Sequence, residues 1–234
     1  MSELTRWLGQ LGPLVTRVEI ALLAFWIAIV GAIWSFLALG SEVGEGELAA
    51  FDRGLLLALR QPGEPHIAAG PPWLLECMRD VTALGGVTLL AFITVISVVA
   101  LLVHRHNAQA VVLAVAIPLA QVSSDLFKTF YGRARPTFAV YGDLPISQSF
   151  PSGHSTVATA TYFLLAVIVA SLETRLSVKV LAFAVAAFLS IMIGVSRVYL
   201  GVHWPSDVIA GWFLGAAWAL AAALGLRTIT RRSD

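Results

Sequence analysis

Long apolar runs alternate with short polar segments along the whole chain, and this pattern predicts a bundle of membrane helices. A helix needs about 20 mostly apolar residues to cross a hydrocarbon core of about 30 Å. The runs predict an all-α, polytopic membrane helix bundle, a single domain over residues 1–234 with six transmembrane helices at about 20–40, 81–103, 108–127, 155–172, 180–195 and 208–226. Residues Ala38 to Gly40 faintly resemble a signal-peptide cleavage site, but the apolar run is longer than the usual ~7–15 residues. A retained first span is therefore favoured.

The longest polar break, residues 41–80, contains seven acidic residues and four prolines. Within it, residues 51–59 carry leucines at helical spacing beside Asp52 and Arg53. This spacing favours a short extracytoplasmic helix that lies at the membrane interface. An ordinary loop with one helical turn explains the same pattern, and the two interpretations stay open.

Composition supports a membrane protein and excludes several other classes. Of the 234 residues, 58% are hydrophobic and 12% are charged, and the mean hydropathy is +0.84, far outside the range of soluble domains. A net charge of +1 leaves no basic stripe for nucleic acid. Cys77 is the only cysteine, which excludes an internal disulfide and a cysteine-based metal site. His104 and His106 have no acidic or cysteine neighbour, so a solvated turn is favoured over a metal site.

Six spans place both termini on one side and bring the polar segments after the third and fifth spans together on the other. Of the 15 cations, eight fall on the side of the termini and seven on the opposite side. Four of these seven belong to the candidate site: Lys128, Arg133, Arg135 and Arg197. Without them the ratio is eight to three, and the positive-inside rule predicts cytoplasmic termini, with the site facing outward, toward the periplasm or its equivalent.

The polar stretch from Ser196 to Asp207 separates two very apolar runs, and ionisable groups at the edge of a span usually mark a functional site. Pro205 suits the first turn of a new helix, so Asp207 lies in that turn and its carboxylate can reach back toward His203. A carboxylate on one imidazole nitrogen leaves the other free to act as a nucleophile or base. Arg197 supplies a fork of donors for an oxyanion.

A second polar cluster follows the third span directly, with Lys128, two arginines and Pro136. Snorkelling of these cations to lipid headgroups is the alternative to a functional role. Gly132 and Pro136 weaken that alternative, because they break the helix and turn Arg135 back toward the bundle. Asp125, one turn before Lys128, is positioned to pair with it.

A third cluster, Pro151 to His154, immediately precedes the fourth span. Its backbone amides lie at a helix N-terminus, which favours an anion, and Gly153 permits close approach of a ligand. His154 is placed where a protonated imidazole can act as a general acid. A plain helix cap at Ser152 explains the tetrapeptide equally well when it is taken alone.

Taken together, these clusters have the parts that phosphoryl transfer needs: cations for the phosphoryl oxygens, a nucleophile and an acid for the leaving group. No cluster of carboxylates suggests a pair of divalent ions, so neither a metal nor a cofactor is expected.

The three clusters resemble the signature of the type 2 phosphatidic acid phosphatase superfamily, which includes the vanadium haloperoxidases and glucose-6-phosphatase. The matching motifs are Lys128-x6-Arg135-Pro136, Pro151-Ser-Gly-His154 and Ser196-Arg197-x5-His203-x3-Asp207. The resemblance implies that His203 attacks phosphorus, Asp207 orients it and His154 protonates the leaving oxygen. It also implies phosphoryl binding by Lys128, Arg135, Ser152, Gly153 and Arg197. Arg133 lies outside the fixed positions, and its use stays open.

The resemblance and the six spans favour a membrane lipid phosphatase that acts on undecaprenyl pyrophosphate, phosphatidylglycerophosphate or phosphatidic acid through a phosphohistidine. Dephosphorylation of lipid A and phosphate transfer between lipids are alternatives within the same chemistry. A haloperoxidase is disfavoured, because the spans point to a lipid substrate. A lipid-binding or transport protein is disfavoured too, because it has no need of both histidines and Asp207. Lipid phosphates and membrane lipids are the expected partners, nucleic acid is not, and the oligomeric state is not determined by these patterns.

Overall fold

The structure is a computed structural model that describes residues 3–140 and 147–230. Within these ranges, side chains are described at residue 20 and from residue 22 to residue 229. The side chains of Arg6 and Arg17, and residues Arg231 and Arg232, which all entered the charge count, lie outside the described part. The described elements follow the chain as α1 (Glu3–Glu45), α2 (Ala49–Ala58), β1 (Arg60–Gln61), β2 (Glu64–Ala68), α3 (Pro72–Ala83), α4 (Val87–Val103), α5 (Asn107–Tyr131), α6 (Gly153–Leu172), α7 (Leu176–Tyr199) and α8 (Pro205–Thr230).

The predicted all-α membrane bundle is confirmed. Five helices are individually long and apolar enough to cross a membrane, and they lie within α1, α5, α6, α7 and α8. The second predicted span is formed differently, because α3 and α4 are two helices bent by 44° rather than one helix over 81–103. Counted as one broken span, they bring the number of candidate spans in the described residues to six.

The break between α3 and α4 lies at two glycines that hydropathy does not register. A Cβ added at Gly85 would come 2.5 Å from Ile193 of α7 and 3.4 Å from the His154 ring, so only glycine permits this contact. The Tyr162 hydroxyl donates a 2.8 Å hydrogen bond to the carbonyl of Leu84, which the end of α3 leaves without a helical partner. The bend is therefore built into the packing.

The short helix expected at residues 51–59 is present as α2, one or two residues earlier, and the loop alternative is wrong. Its buried side carries Asp52 and Leu56, one turn apart, whereas Phe51 and Leu55 are exposed. Sequence patterns did not predict the antiparallel hairpin of β1 and β2 that follows. Two strands this short show no alternation of apolar and polar residues that could be recognised.

Helix α6 lies at the centre of the bundle, with α5, α7 and α8 around it. Over an 18-residue stretch of its candidate span 56% of the residues are buried, against 11% for such a stretch of α1. Its side chains form the largest core cluster together with residues such as Leu113 of α5 and Ile193 of α7. The start of α6, which carries the third polar cluster, is therefore held by packing on three sides.

Glycines allow α8 to approach α6 closely at the end that carries the polar clusters. A Cβ at Gly211 would lie 2.8 Å from the carbonyl oxygen of Ser152, and one at Gly215 would lie 2.7 Å from Cβ of Thr159. Small residues four apart permit this kind of backbone contact between membrane helices. The two helix N-termini are thereby brought side by side.

Replacing Gly211 by valine should force these helices apart. Overpacking usually costs about 1–3 kcal/mol, which predicts a fall of about 5 °C or more in the midpoint of thermal unfolding of the purified protein. Gly225→Val on the same helix is the matched control, because no atom lies within 4 Å of an added Cβ there. Equal stability of the two variants would show that the α6–α8 contact does not need glycine.

Candidate active site

The structure brings all three polar clusters to one end of the bundle. The second cluster follows the end of α5, the third lies at the start of α6, and the stretch from Ser196 to Asp207 joins α7 to α8. Four of the predicted site residues are almost completely buried: Ser152, Arg197, His203 and Asp207. Helix ends alone therefore position most of the candidate chemistry.

Asp207 lies in the first turn of α8, which begins at Pro205 as the sequence predicts. Its Oδ2 lies 3.4 Å from Nδ1 of His203 and accepts hydrogen bonds from the Trp204 amide at 2.9 Å and from the Ser149 hydroxyl. The carboxylate is therefore fixed by its neighbours and faces one nitrogen of the imidazole. Ser149 was not among the predicted site residues.

The other imidazole nitrogen of His203 faces a cation. Nη1 of Arg135 lies 3.0 Å from Nε2 and also donates to the carbonyl of Val202 at 2.6 Å. Arginine has donors only, so Nε2 must be the acceptor and Nδ1 must carry the proton toward Asp207. This tautomer leaves the lone pair of Nε2 on the side of Arg135.

Burial lowers the pKa of the His203 imidazole to about 4. The hydrogen bond with Asp207 and its negative charge oppose that effect, whereas the charges of Arg197 and Arg135 add to it. The imidazole is therefore neutral near pH 7. A neutral ring is what nucleophilic attack requires.

The start of α6 offers donors to an anion, but not every predicted group is free. The Ser152 amide donates to the Asp207 carbonyl at 2.9 Å, and the Ser152 hydroxyl caps the helix by accepting from Ser155 N at 3.4 Å. The amides of Gly153 and His154 come before Thr156, whose amide makes the first intrahelical hydrogen bond, to Ser152. They are the available donors of this terminus.

Lys128 reaches across this helix start. A Cβ added at Gly153 would lie 2.8 Å from Nζ of Lys128, so glycine makes room for the ammonium group. The same ammonium group lies 3.3 Å from Oδ1 of Asp125, as the spacing suggests. Because the Asp125 side chain is 56% exposed, this pairing is weak and leaves most of the positive charge to the site.

Arg197 and His154 complete the cluster. Nη1 of Arg197 donates to the Thr82 hydroxyl at 3.0 Å, while its buried Nε has no partner among the described residues. His154 is near enough to interact electrostatically with Arg197, His203, Lys128 and Arg135. Thr82, on the bent helix α3, is a contact that sequence reasoning missed, since no local pattern links positions 82 and 197.

Arg133, whose use the motif left open, occupies the centre of an ionic network. Its Nη1 donates to Asp207 at 2.6 Å and to the Ser206 hydroxyl at 2.8 Å, and its Nη2 donates to Asp52 at 2.7 Å. The guanidinium also lies over the Trp204 ring, 5.6 Å from its centre. Asp52 was seen in the sequence only as part of an interfacial helix.

In the part of the chain that the structure describes, no group of three or more His, Cys, Asp or Glu side chains lies close enough to hold a metal ion. The donors that face the site are instead guanidinium, ammonium and amide N–H groups. Such donors suit an oxyanion such as phosphate.

Comparison with known proteins identifies the family. Residues 108–231, more than half of the chain, match the model of the PAP2 superfamily. This chain belongs to that superfamily. The match begins with α5 and covers all three polar clusters, which confirms the family predicted from the motifs.

Several relatives of this chain are named for activities on phosphorylated lipids. Phosphatidylglycerophosphatase B of Bacillus subtilis (strain 168) is 32% identical over 149 residues, which cover 62% of this chain and 71% of the relative. A lipid A 1-phosphatase of Rhizobium johnstonii is 37% identical over 110 residues, which cover 43% of this chain and 41% of the relative.

The fold also matches a solved PAP2 structure. The crystal structure of a transmembrane PAP2 type phosphatidylglycerolphosphate phosphatase from Bacillus subtilis has a TM-score of 0.75 and 25% identity, and covers 89% of this chain and 98% of that one. The predicted fold and enzyme class are confirmed: the protein is a multi-pass membrane phosphatase of lipid phosphate esters.

Proposed function

We propose that the enzyme removes phosphate from phosphatidylglycerophosphate through a phosphohistidine at His203. The orientation of His203 carries this proposal: Nδ1 lies 3.4 Å from the Asp207 carboxylate, and Nε2 lies 3.0 Å from the Arg135 guanidinium. A nucleophilic nitrogen beside a cation is aimed at the place that an anionic phosphoryl group would take. The headgroup is inferred from the Bacillus subtilis relatives, both named for this lipid.

In the first half-reaction, Nε2 of His203 forms a bond to phosphorus while the bond from phosphorus to the lipid oxygen breaks. The electron pair of that bond leaves with the lipid oxygen, which takes a proton from His154. Asp207 supports the positive charge that develops on the His203 ring. The products are the dephosphorylated lipid and a phosphohistidine.

In the second half-reaction, water attacks phosphorus and gives a proton to His154, which is then ready for the next cycle. The bond from phosphorus to Nε2 breaks, and inorganic phosphate leaves with His203 regenerated. Transfer to a second lipid would use the same steps with a lipid hydroxyl in place of water, so the acceptor alone distinguishes a hydrolase from a phosphotransferase.

The phosphoryl oxygens would be held by residues from every polar cluster: Lys128, Arg135, Ser152, Gly153 and Arg197. Cations and helix amides placed at fixed positions stabilise the charge on a transferring phosphoryl group. Lys128 and Arg197 approach the site from different helices, Lys128 from the last turn of α5 and Arg197 from the last turn of α7.

We also propose that the protein lies in the bacterial plasma membrane with cytoplasmic termini and an outward-facing site. Among the described cations, Arg105, Arg175, Lys179 and Arg227 lie on the side opposite the site. Three described cations outside the site, Arg53, Arg60 and Arg79, lie on the other side, which gives a ratio of four to three. The sequence adds four arginines near the termini, Arg6, Arg17, Arg231 and Arg232, and this excess supports the orientation by the positive-inside rule. The lipid pool would then be that of the outer leaflet.

The substrate proposal is tested by phosphate release from a panel of lipids dispersed in one detergent. Phosphatidylglycerophosphate should give the highest kcat/KM, ahead of phosphatidic acid, undecaprenyl pyrophosphate and a lipid A 1-phosphate, and the purified His203→Ala protein should give none. A faster reaction with undecaprenyl pyrophosphate or with lipid A would overturn the choice of headgroup.

The two histidines should differ in role. His203→Ala should abolish turnover and leave no covalent phosphate, whereas His154→Ala should lose most activity with an alkyl phosphate and much less with a nitrophenyl ester. The measurement is acid-labile, base-stable label on the protein after a brief pulse, together with rates for both leaving groups. Label on His203→Ala, or equal losses for the two leaving groups in His154→Ala, would contradict these roles.

Activity should not require a divalent metal, because Lys128, Arg135 and Arg197 supply the positive charge that a metal ion supplies elsewhere. EDTA should leave turnover unchanged, and vanadate should inhibit competitively as a mimic of five-coordinate phosphorus. Loss of activity in EDTA that magnesium restores would contradict this prediction.

Sidedness is tested with single cysteines in a Cys77→Ser background, since Cys77 is itself exposed. Glu64→Cys on the exposed hairpin beside the site should react with a membrane-impermeant maleimide in intact cells. Thr174→Cys, exposed between α6 and α7 at the opposite end, should react only after lysis. The reverse pattern would place the site in the cytoplasm.

A further inference from the structure

The interfacial helix α2 contributes a buried charge to the candidate active site. Asp52 is 0% exposed although its helix is short and its neighbours Phe51 and Arg53 face outward. One carboxylate oxygen accepts from the Ser206 amide at 2.8 Å, and the other accepts from the Ser206 hydroxyl at 2.6 Å and from Arg133 at 2.7 Å. Every one of these donors belongs to the segments that carry Asp207 and Arg135.

Arg133 links this carboxylate to the one that faces His203. One guanidinium group contacts Asp52 through Nη2 and Asp207 through Nη1, at 2.7 and 2.6 Å. Asp207 uses Oδ1 for Arg133 and Oδ2 for His203, so the two contacts share one carboxylate. A change at Asp52 is therefore transmitted to the imidazole through two intermediate side chains, Arg133 and Asp207.

We propose that Asp52 is a positioning residue for catalysis, which acts through Arg133 to keep the Asp207 carboxylate oriented toward His203. The inference rests on the proposed role of His203. Two carboxylates on one guanidinium leave a net negative charge in this group. Without Asp52, Arg133 and Asp207 would form a closed neutral pair, and less negative charge would be available to the imidazole as it becomes positive.

A purely structural role for Asp52, in which it only docks α2 onto α8, makes a different prediction. Leu56 lies one turn later on the same buried side of α2 and is also 0% exposed. Truncating Leu56 should loosen α2 without changing any charge. Leu56→Ala is therefore the matched control for docking, and Arg53→Gln, at an exposed neighbouring position, is the control for a charge change on α2.

The experiment compares Asp52→Asn, Arg133→Gln, the double variant and both controls as full-length proteins in detergent, with the wild type. Asp52→Asn should lower kcat about 10- to 100-fold, as expected when one charge-assisted hydrogen bond is lost. The factor should be the same for alkyl and nitrophenyl leaving groups, and KM should change little. Leu56→Ala should lower the unfolding midpoint with kcat within about twofold of wild type, and Arg53→Gln should change neither.

The double variant tests whether Asp52 acts through Arg133. If it does, Asp52→Asn should cause no further loss in the Arg133→Gln background and should restore part of the activity, because the charge left unpaired at Asp52 is removed. Losses that multiply in the double variant, a wild-type kcat in folded Asp52→Asn, or an equal kcat loss in Leu56→Ala would overturn the inference.

Failure of this inference is distinguishable from failure of the proposed function. The proposed function fails if the wild type releases no phosphate from any lipid, or if the His203→Ala variant becomes labelled. If the wild type is active and the Asp52→Asn variant forms labelled phosphohistidine as fast as the wild type does, only the proposed role of Asp52 fails. A slower appearance of label in Asp52→Asn supports it.

Discussion

Burial of charge at one end of the helix bundle is the constraint from which the site follows. Asp52 and Asp207 are both closed off from solvent, and a buried carboxylate is stable only when a cation and hydrogen-bond donors compensate it. Arg133 compensates both at once. The candidate site itself includes three more cations: Lys128, Arg135 and Arg197. Within this set of six residues, four cations against two buried carboxylates leave two positive charges, which matches the charge of a phosphate monoester near neutral pH.

Close packing of two helices fixes the positions of these charged groups relative to one another. Gly211 and Gly215 bring α8 against α6, and the Ser152 amide donates to the Asp207 carbonyl across that contact at 2.9 Å. The amides at the start of α6 and the imidazole before α8 therefore share one rigid frame. Catalytic groups that must act on one phosphorus atom lose much of their effect when displaced by about 1 Å, so rigid packing behind the site matters as much as the residues in it.

The sequence allowed the parts of the site with local signatures to be predicted, and the rest depended on contacts between distant segments. Pro205, two residues after His203 and two before Asp207, marks a helix start, so the spacing alone predicted that the two side chains face each other. Asp52 gave a weaker signal, an acidic residue on the same helix face as Leu56. Its partner Arg133 is 81 positions away, and no pattern within a span links the two.

The fold shows the same division. Hydropathy located the spans because the bilayer sets their length, but it placed one continuous helix over 81–103 where the chain bends. The bend depends on the fit of Gly85 against Ile193, which lies more than 100 positions later. The residues directly on both sides of the break are apolar, so hydropathy summed along the sequence cannot detect it.

The contact between Arg135 and His203 adds a second task to the proposed role of Arg135 in phosphoryl binding. Nη1 of Arg135 lies 3.0 Å from Nε2, where it occupies the lone pair and keeps the ring in the tautomer that points the N–H of Nδ1 at Asp207. Arg135 is itself held by the carbonyls of Val202 and Ser147, so it stays in place when its contact with the ring is given up. A phosphoryl oxygen is a better acceptor for a guanidinium than a neutral ring nitrogen. In the proposed mechanism, a phosphoryl oxygen would therefore replace Nε2 as the acceptor of this guanidinium, and the lone pair of Nε2 would become free when phosphorus is within reach.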